Sequence, residues 1–248
     1  MNLKQFFTDN PKAAIAFSGG VDSEYLLYAA VQFGAQVKAY DVKSDFQPQF
    51  ELKDAKVLAE QLGIEMEILP LNILCNEVVT ANSADRCYHC KKAIFKTILD
   101  ATKADGFSLL LDGTNASDDA DDRPGMRALA ELSVRSPLRE CGLTKVEIRR
   151  LSKEAGLFTH DKPAFSCLAT RIPAGEPITA EKLRRTEEAE CYLAGLGFRD
   201  FRIRSMGDTA RIQVTASDLP KIMEHRESVL KELKRHFSSV LLDLEVRK

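Results

Sequence analysis

The sequence predicts an α/β fold: a mostly parallel sheet with helices on both faces, followed by a small C-terminal α+β domain. Three observations carry this expectation. In the first half, short apolar runs of buried-strand length alternate with segments of helical spacing, the pattern of a parallel sheet covered on both sides. From about residue 178 the rhythm changes to helix, two strands around Gly207-Asp208, helix and strand, where the Gly-Asp pair is a hairpin signal. Between them lies a stretch rich in Pro and Gly, residues 158–177. The expected division is therefore 1–157 as a nucleotide-binding domain, 158–177 as a linker that also carries site residues, and 178–248 as the small domain.

The elements follow in order. Residues 13–17 (AAIAF) read as a buried strand and 22–33 as a helix; 36–42 is a second strand. Residues 50–62 place Leu52, Ala55, Leu58, Ala59 and Leu62 at helical spacing, and Gly63 ends that helix. Strand three is 65–69, a helix spans 88–103, and strand four is 108–111. Residues 115–125 are polar and read as a loop, and 126–132 as a helix. Thr144 with Glu147 three residues on makes a capping box for a helix over 144–155. In the last part, 180–194 is helical, 201–206 and 210–215 are strands, 218–237 is one or two helices broken near Pro220, and 240–246 is a strand.

Composition narrows the function. Of 248 residues 44% are hydrophobic and 29% charged, a globular balance with enough chain for a real core. No apolar run is long enough for a membrane span, and the first residues lack a basic-then-apolar pattern, so neither a secretory signal nor a membrane partner is expected. Thirty-five Lys plus Arg against 37 Asp plus Glu give a net charge of −2, which argues against a nucleic-acid partner. The expected compartment is the reducing cytoplasm, where clustered cysteines bind metal or do chemistry more often than they form disulfides. Cys75, Cys141 and Cys191 stand alone and read as incidental small hydrophobes.

The most informative segment is Ser18, Gly19, Gly20, Val21, Asp22 and Ser23, placed between a strand and a helix. Two glycines allow a tight turn that brings backbone N–H groups close to a ligand. The helix N-terminus adds orphan donors and positive potential, and the serine hydroxyls add more. The loop has neither the Lys and spacing of a Walker A sequence nor G-x-G-x-x-G. Asp22 can serve a metal ion or cap the helix. A second cue, Gly113, Thr114 and Asn115, follows strand four.

Cys87 and Cys90 form a C-x-x-C in Arg86-Cys87-Tyr88-His89-Cys90-Lys91, a spacing suited to one metal, one cluster or a redox pair. Cys167 supplies a third soft ligand. His89, lying between the two cysteines, reads as a surface histidine more readily than as a fourth zinc ligand. Three thiolates without a fourth ligand suit a 4Fe–4S cluster that keeps one iron open; structural zinc is the alternative.

SGGVDS resembles the pyrophosphate loop of the ATP pyrophosphatase (PP-loop, adenine nucleotide alpha hydrolase-like) superfamily. That resemblance implies ATP with Mg²⁺, cleavage between the α- and β-phosphates, and an adenylylated substrate from which a nucleophile displaces AMP. With RCYHCK, LLDGTNASD, DRPG and SCLATRIPAG, the chain is similar to the LarE family from residue 13 to about 215. The similarity implies ATP-dependent sulfur insertion in biosynthesis of the nickel-pincer nucleotide, the lactate racemase cofactor. A carboxylate of pyridinium-3,5-biscarboxylic acid mononucleotide is adenylylated and becomes a thiocarboxylate. One branch of the family sacrifices a cysteine in the segment matching 166–171; another binds a 4Fe–4S cluster with three cysteines, and Cys87, Cys90 and Cys167 point to the second.

Arg171, Arg202, Arg204 and Arg211 are candidates for the phosphate and carboxylates of a small nucleotide, since Arg recognises planar anions through two bonds at once; a solvated, charge-defended strand edge is the plain alternative. Glu190 matches a family acid, whereas Gln213 stands where the family often has an acid thought to help hold a metal. Asp118, Asp119, Asp121 and Asp122 either touch Mg²⁺ or form a solvated loop. A homo-oligomer is expected. The alternatives to sulfur insertion are a tRNA thiolation enzyme and a non-catalytic nucleotide-binding module with structural zinc.

Overall fold

In the computed structural model, residues 2–118 and 124–247 are described. The element order is α1 Leu3–Asp9, β1 Lys12–Ala16, α2 Val21–Gln32, β2 Gln36–Lys43, α3 Gln49–Gln61, β3 Met66–Pro70, α4 Glu77–Thr80, α5 Arg86–Ala104, β4 Leu110–Leu111, α6 Pro124–Glu131, α7 Pro137–Glu140 and α8 Lys145–Glu154. It continues with α9 Ala180–Gly195, β5 Phe201–Met206, β6 Thr209–Val214, α10 Leu219–Glu224, α11 Arg226–Leu233 and β7 Ser239–Leu242. The chain divides into two compact units, Met1–Ile73 with Asp85–Ala164, and Leu74–Ala84 with Phe165–Lys248. The segment Leu74–Ala84, expected in the nucleotide-binding part, thus packs with the C-terminal residues.

The first unit is built on a four-stranded sheet of order β3-β2-β1-β4, with every pairing parallel. Successive side chains of a strand point to opposite faces, and the core follows that rule. Ala13 and Ile15 pack with Leu26, Leu27 and Leu58 on one side. Ala14 packs with Tyr40, Phe95 and Ile98 on the other. Both faces are therefore apolar and covered by helices, as the continuous runs of the strands require. The expected capping box is present: the Thr144 hydroxyl accepts from the Glu147 N–H, and the Glu147 carboxylate accepts from the Thr144 N–H. Strand four is shorter than expected, only Leu110–Leu111, and the helix after the polar loop begins at Pro124.

The second unit carries a sheet of order β5-β6-β7. β5 and β6 form the expected antiparallel hairpin, while β7 returns parallel to β6 after α10 and α11. Phe201, Ile203, Ile212 and Val214 face Leu193, Val229 and Leu233, closing the core of this unit. The helical stretch breaks at His225 rather than at Pro220. Pro220 lies in the first turn of α10, where its missing N–H breaks no helical bond. β7 is also shorter than expected, ending at Leu242.

Candidate active site

β1 is flanked by β2 on one side and β4 on the other, so the crevice at the carboxyl ends of the sheet opens beside it, the position where open α/β sheets bind ligands. Two loops meet there. The turn after β1 carries Ser18 to Ser23, and the turn after β4 carries Gly113 to Asn115, brought alongside by the pairs Ala14↔Leu110 and Ile15↔Leu111.

Both turns demand glycine. Gly19 has φ +68°, and a Cβ there would stand 2.9 Å from Cβ of Ala55 on α3. A Cβ on Gly113 would stand 2.8 Å from the backbone N of Ser23. Side chains are thereby excluded from the space between the β4 turn and the first turn of α2. The Ser23 hydroxyl, buried, donates to the Gly20 carbonyl at 3.1 Å and accepts from the Ser18 N–H at 3.3 Å. Thr114 and Asn115 are buried; the Thr114 hydroxyl and the Ser136 hydroxyl both donate to Asp112, at 2.5 and 2.6 Å. Asn115 accepts from the Ser117 N–H and receives Asp118 as acceptor for its own N–H. Asp118 thus fastens the loop, while Asp119, Asp121 and Asp122 lie outside the described residues.

Asp22 does not cap α2, whose N-cap is Gly20 with no side-chain bond. Its Oδ2 accepts from Nζ of Lys145 at 2.5 Å, while its Oδ1 is buried with no hydrogen-bond partner. Burial raises its pKa, with Lys145 pulling the other way. Two cations beside the loop escaped the sequence reading. Lys145 is one. The other is Lys162, whose Nζ donates to Asp54 Oδ2 at 2.7 Å and to the Gly19 carbonyl at 3.3 Å. Arg149 holds the backbone that carries Lys162, donating to the carbonyls of His160 and Lys162. Glu24 was missed too: it is fully buried, neither carboxylate oxygen has a partner, and burial pushes its pKa up to about 7. No periodicity or spacing marks these residues; only the tertiary fold brings them to the loop.

Cys87 and Cys90 stand in the first turns of α5, three apart and so on one helix face. An Arg86 guanidinium nitrogen lies 3.6 Å from the Cys87 sulfur. His89 sits edge-on to Tyr88, with ring centroids 5.0 Å apart. Cys167 belongs to the second unit and is the N-cap of the 3₁₀ turn Leu168–Arg171. None of the six cysteines is in a disulfide. Among the described residues, no group of three or more His, Cys, Asp or Glu is arranged to hold a metal ion.

In the second unit, Arg171 and Glu190, both expected on the substrate, hold each other. Arg171 Nε and an Nη donate to the two Glu190 oxygens at 2.8 and 3.0 Å. Arg202, Arg204, Arg211 and Gln213 share the sheet face opposite the core, paired as Arg202↔Gln213 and Arg204↔Arg211. At Arg202 this face is not solvated. Arg202 is buried, lies 4.9 Å above the Phe165 ring, and has its pKa pushed down to about 10 by burial and then by Arg171; it remains charged at neutral pH. Gln213 accepts from Arg204 Nε at 3.0 Å and donates to Asp243 Oδ2 at 2.8 Å. Arg211 Nε stands 3.4 Å from the same Asp243 oxygen. The carboxylate absent at position 213 is thus supplied to the arginine cluster by Asp243.

A parallel sheet whose central strand runs into SGGVDS, with the β4 turn closed against the first turn of α2, defines an ATP-using enzyme of the PP-loop superfamily. The profile of the family "Queuosine biosynthesis protein QueC" matches residues 12–96. The chain is 39% identical over 98% of its length to an uncharacterized protein of Synechocystis sp., covering 92% of that protein. It is 31% identical over 95% of its length to pyridinium-3,5-bisthiocarboxylic acid mononucleotide synthase of Lactiplantibacillus plantarum, covering 87% of it. A tRNA-specific 2-thiouridylase of Thermotoga neapolitana matches more distantly, at 27% over 61% of the chain and 54% of the thiouridylase. The chain belongs to the LarE family, the ATP-dependent sulfurtransferases typified by the Lactiplantibacillus synthase.

Proposed function

We propose that the chain inserts sulfur into pyridinium-3,5-biscarboxylic acid mononucleotide, converting a carboxylate to a thiocarboxylate by way of its adenylate. The observation that carries this reading is the 31% identity, over 95% of the chain, to a synthase named for the bisthio product, together with the SGGVDS turn that such an adenylation needs. A substrate carboxylate oxygen attacks the α-phosphorus of ATP and pyrophosphate leaves; a sulfur nucleophile then adds at the acyl carbon and AMP leaves. Ser18, Gly19, Gly20, Val21, Asp22 and Ser23 would hold the departing pyrophosphate through N–H groups and hydroxyls, the pre-aimed donors that stabilise developing charge. Gly113, Thr114 and Asn115 would line the nucleotide, and Lys162 would face the phosphates from the Gly19 side.

Mg²⁺ would supply charge neutralisation at the phosphates. The buried, unpartnered Asp22 Oδ1 is suited to it. Arg202, Arg204 and Arg211 would receive the substrate's phosphate and remaining carboxylate. Three thiols outside any disulfide, Cys87, Cys90 and Cys167, have the chemistry of a 4Fe–4S ligand set, and such a cluster would supply a labile sulfide. Among the described residues, no group of three gathers as a metal site. The substrate is a small nucleotide. No helix among the described residues is long and apolar enough to cross a membrane.

Anaerobic purification with iron, sulfide and zinc quantification tests the sulfur source. Iron with acid-labile sulfide supports the cluster; one zinc without AMP formation supports a non-catalytic module. With ATP, Mg²⁺, substrate and a sulfide source, the recovered chain should keep its full mass. Loss of about 34 Da at Cys167, the β-elimination of one H₂S, would overturn the cluster in favour of a sacrificial cysteine.

A further inference from the structure

We infer that Arg171 and Glu190 are positioning residues that staple the Cys167 segment to the second unit and so set the place and exposure of its thiol. This rests on the reading of Cys167 as the sulfur-handling thiol.

The chemistry of Arg171 is that of a brace. Its side chain is 0% exposed, and each of its three guanidinium nitrogens is already bonded within the protein. Two of its nitrogens are committed to Glu190 in a fork, the geometry that fixes orientation as well as attraction. The third, Nη1, turns back along its own chain. It donates to the Ser166 carbonyl and hydroxyl, each at 2.8 Å, and to the Thr170 hydroxyl at 3.0 Å, with the Cys167 carbonyl at 3.5 Å. Ser166 and Thr170 bracket Cys167, and their hydroxyls lie 3.0 Å apart. One guanidinium therefore holds the Ser166 backbone and hydroxyl before the thiol and the Thr170 hydroxyl after it.

Glu190 anchors that grip. Its Oε1 accepts from the Ile203 N–H at 3.0 Å as well as from Arg171, which ties α9 to β5 at the same point. A buried carboxylate with this many charge-assisted donors is fixed in place, and breaking one side of such a pair leaves the other charge buried and unmatched. The Arg171–Glu190 fork, rather than the short turn alone, thus decides where Cys167 sits.

The test measures Cys167 directly. Iodoacetamide labelling of the full chain is followed by peptide mass spectrometry, with the exposed Cys75 in the same chain as the internal rate standard. Glu190→Gln keeps the size and removes the charge. Arg171→Met with Glu190→Leu removes the fork in an apolar form that retains packing, and decides the question if Glu190→Gln does not fold. The expected result is at least a tenfold rise in the Cys167 labelling rate relative to Cys75. Thiocarboxylate formation per AMP released should also fall at least tenfold, with substrate KM within about threefold of the parent. Arg171→Lys, which keeps the charge but not the planar fork, should fall between. A Cys167 rate within twofold of the parent, with substrate KM raised tenfold or more, overturns the inference and returns both residues to substrate binding. If Cys167→Ser leaves sulfur insertion intact, the functional reading fails, while the labelling rates still decide whether the staple exists.

Discussion

Nζ of Lys162 donates to the carbonyl of Gly19, 143 residues earlier in the chain, and holds Asp54 with the same ammonium group. A cation fixed to the rim of an anion turn is preorganised, so it stabilises charge without moving at the moment of reaction. Lys162→Met should lower AMP formation by about 10²–10³-fold, the range for loss of one such group. Pyrophosphate release in the presence of substrate measures it; unchanged release removes Lys162 from the mechanism.

Asp22 offers one oxygen to Lys145 and keeps the other unpartnered. Asp22→Ala should raise the Kd of Mg-ATP at least tenfold, roughly 1.4 kcal/mol, and change the affinity for metal-free ATP far less. Titration calorimetry with and without Mg²⁺ separates the two. Equal losses in both titrations would assign Asp22 to the fold rather than to a metal.

Glu24 makes stability fall as pH rises. Its folded pKa of about 7 lies above the ordinary value of 4.5 because burial penalises the carboxylate, with Lys162 opposing. Below about pH 4.5 both folded and unfolded chains hold the proton and there is no penalty. Between about 4.5 and 7 the unfolded chain releases it first, so the unfolded state gains. Above 7 the penalty is complete, roughly 3 kcal/mol for a shift of this size. Glu24→Gln should therefore raise Tm at pH 8 and leave it nearly unchanged at pH 4.5. Thermal unfolding at the two pH values checks this, and an equal shift at both would show that ionisation is not the cause.

Gly113 leaves no room for a methyl group beside the backbone of Ser23. Gly113→Ala should cost about 1–3 kcal/mol through overpacking and displace the first turn of α2. Chemical denaturation gives the stability, and ATP binding should weaken with it. A variant with parental stability and affinity would mean that the two turns separate readily.

What the sequence makes legible depends on how far apart the partners are. The SGGVDS turn, the C-x-x-C face and the Thr144–Glu147 box are written in consecutive residues, and their local spacing carries their physics. The alternation of apolar runs likewise yields the parallel sheet, since both faces of each strand must be covered. Lys162, Lys145 and Asp54 are single polar residues whose meaning arises only when the crossovers bring them to the loop. Arg171 and Glu190 read as ligand-seeking charges because nothing in the sequence shows that they meet. Pro220 read as a break because its position within the helix, first turn or interior, is set by where the preceding turn ends.

Asn82 ties the second unit together from an unexpected part of the chain. Its side-chain amide donates to the carbonyls of Pro173 and Glu176 at 2.7 and 2.9 Å, and its own carbonyl accepts from the Gly175 N–H at 2.9 Å. Ile178 adds a bond to the Thr80 carbonyl at 2.8 Å. During synthesis Leu74–Ala84 therefore emerges some 90 residues before its partners, an interval on the order of 5–20 s at ordinary translation rates. Throughout that time Val79, fully buried in the finished protein, has nothing of its own unit to pack against. A chain halted after Ala164 would hold this strip uncovered, and a fragment begun at Phe165 would lack it. Neither half is a self-sufficient product of a simple cut, so the two units are made in an interleaved order, with completion of the second delayed until the last third of the chain has left the ribosome.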